Sequence, residues 1–512
     1  MDKSLLDDLE EKRRLGKAMG GPEKLQAHAA AGRLNARERL DVLLDPGSFV
    51  EISVLARSQL PELHARTPAD GLVCGYGTIN GRIVYVTSED RTVQAGTRGR
   101  VAEKKTNRIR TLALKHGAPY ITLMEAGAGR FQEISGAIAA DVGYRFLEHF
   151  QMSGKVPQCA VFLGACFGGP SFTAMQSDFV SIVRDNGYIG MSGPPLVRVG
   201  LGREVTMEEI GGAVKSARET GQADYLADDE RSALQSVRDF LSYFPSNADE
   251  APPSAAPEPA PVDSEEGRER IAALVSENGR KPYKGDELVS LLVDGGKLFP
   301  YRASYGRSLF TGWGRINGEV VGFVASNPMV LGGALDDKAA IKARKFVDIC
   351  DAFHIPLAFF IDCPGFMVGP EIENKRMVSL AARLLNTMAG CTVPKATIVI
   401  RKAIGLAYLA LGGRPMDPDV IVGWPTSHFD PMGPLAGVEL VHARAIANSD
   451  DPDALRAELI EKAKKDADCY RAAELALIDD IIHPAETRTV IADMITRTAA
   501  TRKTGFKHRI DP

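Results

Sequence analysis

No stretch of this 512-residue chain approaches the ~20 consecutive apolar residues that a spanning helix needs. The opening Met1-Asp2-Lys3-Ser4, followed by Glu10-Glu11-Lys12-Arg13-Arg14, has no apolar core of the signal-peptide kind. Neither sign of charge dominates: a net charge of −4 gives no reason to expect nucleic acid or an anionic membrane surface as partner. Cysteine is sparse and odd in number. Cys74, Cys159, Cys166, Cys350, Cys363, Cys391 and Cys469 show no CxxC spacing. Most lie in apolar runs, so they read as buried thiols, and the expected compartment is the cytoplasm or an organelle matrix. There is no HExxH, no four-cysteine cluster and no Asp-rich run, so no metal is expected in this chain. The hydrophobic fraction of 44% and charged fraction of 25% are those of an ordinary globular protein. The length allows about three average domains or two large ones.

What is present is glycine in a particular place. Pro157-Gln158-Cys159-Ala160-Val161-Phe162-Leu163 is a short apolar run that reads as a buried strand. It passes through Gly164-Ala165-Cys166-Phe167-Gly168-Gly169-Pro170-Ser171 into Phe172-Thr173-Ala174-Met175, the start of a helix. The first N–H groups of a helix have no partner inside it and can hold an anion or a developing oxyanion. Taken alone, such a turn is usually an ordinary connection. This chain makes it twice, because Pro394-Lys395-Ala396-Thr397-Ile398-Val399-Ile400 leads into Arg401-Lys402-Ala403-Ile404-Gly405-Leu406-Ala407-Tyr408, an offset of 237 residues.

The offset recurs. Gly75-Tyr76-Gly77-Thr78-Ile79-Asn80-Gly81 matches Gly312-Trp313-Gly314-Arg315-Ile316-Asn317-Gly318 at 237. His116-Gly117-Ala118-Pro119 and Gly127 match His354-Ile355-Pro356 and Gly365 at 237 to 238. Leu43-Leu44-Asp45-Pro46-Gly47 resembles Leu292-Val293-Asp294-Gly295-Gly296 at 249, so the first copy carries about a dozen extra residues around 53–70. Such a period implies two similar domains. They are placed at 1–248 and 265–512, joined by a proline-rich linker at 249–264.

Each half alternates strands and helices, which predicts an α/β fold with much parallel pairing. Residues 71–90 read as a hairpin about Asn80-Gly81, 119–124 as a strand, 133–150 and 230–243 as helices, and 452–475 and 484–501 as a helical tail. In each half two glycine turns follow successive buried strands: 126–129 and 164–169, then 363–369 and 401–407. Loops at the same ends of neighbouring strands can aim two N–H donors at one point, forming an oxyanion hole. The basic stretch with Arg98, Arg100, Lys104, Lys105, Arg108, Arg110 and Lys115 reads either as a solvated helix face or as a rim for a phosphorylated ligand. His116 and His354 read as structural. His428 reads as a surface residue or a contact near the second turn. Glu133 reads as helix-dipole compensation that can pair with Arg130.

At these residues the chain resembles the carboxyltransferase (β) subunits of biotin-dependent acyl-CoA carboxylases, such as propionyl-CoA carboxylase. The resemblance rests on Gly20-Gly21-Pro22-Glu23-Lys24, Gly32-Arg33-Leu34-Asn35-Ala36-Arg37-Glu38-Arg39, Leu43-Leu44-Asp45-Pro46-Gly47-Ser48-Phe49-Val50-Glu51, Glu208-Glu209-Ile210-Gly211-Gly212-Ala213, Arg238-Asp239-Phe240-Leu241-Ser242-Tyr243-Phe244-Pro245, Arg280-Lys281-Pro282-Tyr283, Asp362-Cys363-Pro364-Gly365-Phe366 and Trp424-Pro425-Thr426. It implies two tandem crotonase-like domains, the first binding acyl-CoA and the second carboxybiotin, facing each other across a dimer of two chains, and a hexamer overall. The Gly168 and Gly169 amides, with the Gly127-Ala128-Gly129 loop beside Arg130, would hold the thioester enolate oxygen. The Leu406 and Ala407 amides would hold the ureido oxygen of biotin. Gly365 and Phe366 belong to the second substrate loop, and Leu409 takes a position thought to select the acyl chain. No Met-Lys-Met biotinylation signature occurs, so the biotin would be carried by a separate biotin carboxylase or carrier subunit. The chain departs from the family's usual pattern at Ala126, Pro170, Lys375–Ala381, Leu406 and Leu409. A biotin-independent malonyl-type acyl-CoA decarboxylase or hydrolase using the first hole alone, and a non-catalytic scaffold subunit, are the other readings.

Overall fold

The computed structural model describes residues 2–141, 146–276 and 281–512. The backbone forms two compact units, Met1–Glu250 with Gly505–Pro512, and Ala251–Thr504. In the first, β1 (Val50–Glu51), β2 (Leu72–Ile79), β3 (Arg82–Glu89), β4 (Tyr120–Met124), β5 (Gln158–Phe162), β7 (Phe179–Val183) and β9 (Tyr225–Ala227) form one sheet in that order. A two-stranded parallel ribbon, β6 (Ala165–Phe167) with β8 (Tyr188–Gly190), stands apart from it. The β2–β3 turn takes Asn80 and Gly81 to φ 50° and 76°, which suits a tight hairpin. From β3 onward the pairing is parallel, and β4, β5 and β7 are buried throughout. That is why these strands read as continuous apolar runs and not as alternating ones. On one side Phe179, Phe240 and Phe244 stack with ring centroids 4.7 and 4.1 Å apart.

The second unit repeats this. Its sheet runs β10 (Phe299–Pro300), β11 (Leu309–Ile316), β12 (Glu319–Ser326), β13 (Leu357–Cys363), β14 (Lys395–Ile404), β15 (Val420–Gly423) and β17 (Asp480–Ile481), with β16 (His428–Asp430) pairing the far end of β14. The registers coincide. Tyr85 faces Tyr120 and Tyr120 faces Gln158; 237 residues on, Gly322 faces Leu357 and Leu357 faces Lys395. Val50 faces Tyr76 as Phe299 faces Trp313, so the extra dozen residues lie between β1 and β2. Left-handed backbone recurs as well: Gln94, Ala95 and Gly96 have φ of 49°, 55° and 74°, and Leu331, Gly332 and Gly333 have 52°, 61° and 86°.

Several details depart from the sequence reading. The partner of His354 (φ 62°) is Gly117 (φ 60°), one residue beyond His116; a left-handed residue is needed there and the histidines are not equivalent. The helix expected over 133–150 is broken into Phe131–Ile134, a 3-10 turn at Gly136–Asp141 and Phe146–Met152. The proline-rich stretch is not a spacer. Ala251 already belongs to the second unit, the Ala255 amide donates to Gly318 at 3.0 Å, and Ala260 and Val262 enter that unit's core. Residues 505–512 return to the first unit: Ile510 and Ser153 exchange hydrogen bonds, and the Arg509 guanidinium lies 4.4 Å from the Phe150 ring centroid.

Helices Arg100–His116 and Asp337–Ala352 bury a lysine at the same place, Lys105 and Lys342. Lys105 Nζ donates to Ala69 O at 2.7 Å and to Leu72 O; Lys342 Nζ donates to Tyr305 O and Leu309 O at 3.0 and 2.8 Å. Burial, reinforced by the nearby Arg302, pulls the Lys342 amine down to about 7. An unfolded lysine holds its proton to about pH 10.4. Between about pH 7 and 10 the unfolded chain therefore binds the proton more tightly, and stability rises with pH. The stability difference between wild type and Lys342→Met, from urea unfolding, should climb by up to ~1.4 kcal/mol per pH unit from pH 7 to 9. A flat difference refutes the shift.

Candidate active site

Strand β4 ends at Met124 and β5 at Phe162, side by side and parallel, so the loops that follow leave from the same edge of the sheet. The chain turns from β6 into the helix Gly169–Met175 at Gly168, whose φ 75° and ψ −143° are open only to glycine. The Gly168 amide is not free: it donates to Gly190 O at 3.0 Å and closes the β6–β8 ribbon. This corrects the expectation that both glycines are donors. Pro170 has no N–H, and in the first turn of a helix that costs no helical bond. The Gly169 amide is a half-exposed donor at this helix start, without an acceptor in its own helix. The Gly127-Ala128-Gly129 loop is held in place by Arg98, whose amide donates to Ala128 O and whose carbonyl accepts from the Arg130 amide at 2.7 Å.

The second unit has the same construction. Leu335 N donates to Gly365 O at 3.0 Å and Met367 N donates to Leu335 O at 2.8 Å, so Gly365 and Phe366 stand where Ala128 and Gly129 do. Gly405 (φ 60°) turns the chain into the helix Gly405–Ala410. Leu406 and Ala407 both keep an N–H in this first turn, so the second unit has one more donor here than the first. Beside them a cavity of about 490 Å³ is lined by Ala403, Gly405, Leu406, Tyr408, Leu409 and Phe429, among others. Its walls are apolar, and the Asp430 carboxylate that borders it is occupied by the Met432 and Gly433 amides. Such a place suits an apolar ligand with a polar group to meet the amides. His428 sits on β16 opposite Lys402 in the parallel pairing, and burial lowers its pKa.

Beneath each pair of loops lies a buried carboxylate that the sequence reading did not single out. Glu125 follows β4, Asp362 falls on β13, and the two are 237 residues apart. Glu125 is fully buried and bonded by Arg33 Nη1 at 2.6 Å, with Arg39 Nη2 also at 2.6 Å. Asp362 is fully buried against Arg401, whose Nε donates at 2.8 Å. The residue matching Arg401 in the first unit is Gly164, where a Cβ would press on the Glu125 side chain. The cation is therefore supplied from the N-terminal segment instead. The offset of 237 was enough to reveal this pair, but only with acidic residues, and not glycines, as the landmarks.

The basic residues divide. Arg98 is buried and bound to Glu89 and Glu103, so its guanidinium does not form the expected rim; desolvation without a carboxylate would be prohibitive. Lys105 is buried as described, and Arg100 reaches Asp141 at the surface. Arg130 is buried between Asp70 and Glu133, 2.6 Å from each, and so braces the loop instead of presenting its charge to a ligand. Burial works against Glu133, but hydrogen bonds from Ser58, the Arg100 amide and Arg130 hold it below the usual carboxylate range. Arg280 of the Arg280-Lys281-Pro282-Tyr283 motif lies outside the described residues. Among the described residues there is no cluster of His, Cys, Asp or Glu able to hold a metal ion, and no helix long and apolar enough to cross a membrane.

The model of the carboxyl transferase domain matches residues 27–509. The chain belongs to the carboxyl transferase family. The family is one of enzymes, and the two-unit α/β architecture is shared with solved relatives. The chain is 34% identical over 494 residues to a Haloferax mediterranei protein named propionyl-CoA carboxylase, carboxyltransferase subunit, covering 96% of this chain and 95% of that one. It is 32% identical over 498 residues to the methylmalonyl-CoA decarboxylase subunit alpha of Veillonella parvula, covering 97% and 96%. The crystal structure of transcarboxylase 12S, described as a hexamer assembly with methylmalonyl-coenzyme A bound, superposes with a TM-score of 0.92 at 33% identity, over 100% of this chain and 98% of that one.

Removing Glu125 takes one carboxylate from the buried Arg39, which keeps Glu230, and from the half-buried Arg33, which keeps Asn186. Glu125→Ala should cost ~1–3 kcal/mol in chemical unfolding, because a buried hydrogen-bond partner is lost while Arg39 stays paired. Glu125→Gln, which keeps the hydrogen-bonding shape, should cost less. Equal and small losses for both would show that the carboxylate charge carries no weight.

Proposed function

We propose that this chain is the carboxyltransferase component of a biotin-dependent acyl-CoA carboxylase, moving a carboxyl group from carboxybiotin on a separate carrier chain to the α-carbon of an acyl-CoA. The observation that carries this reading is the doubled turn: in each unit two loops leave adjacent strands at one edge, with unpartnered first-turn amides at Gly169 in one and at Leu406 and Ala407 in the other. The Gly169 amide and the 127–129 loop take the thioester oxygen and stabilise the charge that grows on it as the enolate forms. The Leu406 and Ala407 amides take the ureido oxygen, with Leu406 and Leu409 as apolar walls. Glu89, Glu125, Glu133 and Asp362 are tied to arginines and Asp430 is held by the Met432 and Gly433 amides, so none of these carboxylates is free to act as a base. Carboxybiotin, when bound, supplies the carboxyl group and the basic nitrogen that takes the α-proton.

The working form is a homo-oligomer with a dimer as its smallest unit, and a hexamer overall. Helices Pro194–Leu201 and Pro434–Ala447, which follow β8 and β16, support this. They leave Val199 82% and Leu201 77% exposed on one, and Leu440 and Val441 each 68% exposed on the other. Large apolar side chains left this exposed on both helices suit contact surfaces. All seven cysteines are free and buried, which supports a reducing compartment such as the cytoplasm.

With its biotin-bearing partner and an acyl-CoA, the purified chain should carry out carboxyl transfer that avidin abolishes. Full turnover in avidin would instead leave a biotin-independent decarboxylase or hydrolase. Gly169→Val should lower turnover roughly 10²–10³-fold with little change in melting temperature, because the valine blocks approach to the donor. Leu406→Gly keeps its amide and should be milder. If Gly169→Val retains full acyl-CoA turnover, the first-unit site is elsewhere. By sedimentation, the active species should be a dimer or larger; an active monomer overturns the assembly.

A further inference from the structure

The extra dozen residues between β1 and β2 exist in the first unit only. There, twenty residues separate Glu51 from Leu72, against eight between Pro300 and Leu309. They are not slack. Pro61–Arg66 and Pro68–Gly71 are 3-10 turns, Thr67 Oγ1 donates to Leu63 O at 2.8 Å, and Ser58 Oγ donates to Glu133 at 2.6 Å. Together with the helix Lys3–Gly16 and the turn after it, they wall a cavity of about 750 Å³. That turn is fixed by close contact. A Cβ on Gly16 would strike the Val54 carbonyl and one on Gly20 the Thr92 carbonyl, and the Gly20 amide donates to Thr92 Oγ1 at 2.9 Å.

The lining combines Leu15, Met19 and Leu55 with Lys12, Arg57 and His64, and contains no carboxylate. Among the described residues Arg57 and His64 have no hydrogen-bond or ion-pair partner, and Lys12 has only an exposed pair with Asp8. Unpartnered cations over apolar walls, in a volume suited to a small molecule, match an anion attached to a flat apolar body. Ser58 links the segment to Glu133, which also receives the Arg100 amide and Arg130 beside the 127–129 loop. A chain of hydrogen bonds thus links the segment that walls the cavity to the 127–129 loop.

We propose that this cavity binds a phosphorylated nucleoside, its base against Leu15, Met19 and Leu55 and its phosphate on Arg57, Lys12 and His64. Two sources carry that chemistry: the nucleotide end of the acyl-CoA, an assignment that rests on the function proposed above, and a free nucleotide. Calorimetric titration of the full chain with adenosine 3′,5′-bisphosphate and with AMP should show saturable binding of at least one. Arg57→Ala should weaken it roughly tenfold to a hundredfold, and His64→Ala should weaken it further in the double variant, with unchanged melting temperatures because neither side chain has a folding partner. If the acyl-CoA's own nucleotide end fills the cavity, saturating propionyl-CoA competes with the bisphosphate and Arg57→Ala weakens both alike. If the ligand is a free nucleotide, both bind together and Arg57→Ala leaves propionyl-CoA affinity unchanged. Bisphosphate binding without any propionyl-CoA binding keeps the site and removes the acyl-CoA reading. Saturable binding of neither probe, or binding indifferent to the double variant, overturns the proposal.

Discussion

A carboxylate sealed at the C-terminal end of a parallel strand must be neutralised where it stands, since an unpaired buried charge costs several kcal/mol. Glu125 and Asp362 impose that constraint once in each unit, and much of the surrounding structure follows from it. Around Asp362 the answer is local: Arg401 comes from the adjoining strand and reaches on to the carbonyl of Lys281 at 3.0 Å, over the Tyr283 ring. Around Glu125 the matching residue is glycine, so the counter-charge is imported. Arg33 and Arg39 bring in the N-terminal segment, and Arg39 then continues to Glu230 at 2.8 Å, on the helix that closes the unit's far side. One substitution of arginine by glycine between otherwise parallel units thus determines how the N-terminal segment is anchored.

The duplication was legible because its landmarks are backbone requirements. Asn80-Gly81 and Asn317-Gly318 mark hairpins that need left-handed residues, and Gly168 and Gly405 mark a turn few other residues can make. Side-chain roles were much less legible. Arg98 and Lys105 look like part of a basic helix face, yet tertiary carboxylates and carbonyls draw them inside. The Gly168 amide looked like a donor, but the ribbon formed with Gly190 lies twenty-two residues downstream and leaves no mark in the local pattern. The proline run at 251–261 told correctly against helix and strand, but composition does not show that a stretch without regular structure is packed down.

The two helix starts also differ in what they can do. With Gly168 spoken for and Pro170 lacking an N–H, the first keeps fewer free amides than the second. The neighbouring 127–129 loop is stiffened from below by the buried Arg98–Glu89 and Arg130–Asp70–Glu133 groups. The second has two donors of its own and opens onto an apolar cavity. Under the proposed function the first would meet a growing oxyanion and the second a neutral ring oxygen, which make different demands on their donors.

The return of residues 505–512 to the first unit makes the second unit, in topological terms, an insertion within the first. Ser153 and Ile510 meet across 357 positions of chain. A ribosome adding about 5–20 residues per second needs on the order of tens of seconds to supply that last segment after residue 250. Throughout that interval the helix Phe146–Met152 stands without the Arg509 guanidinium that later covers Phe150, and Gly154 without the backbone that lies against it. The first half of the chain is thus made first but finished last, and its surface during synthesis differs from the one it finally presents.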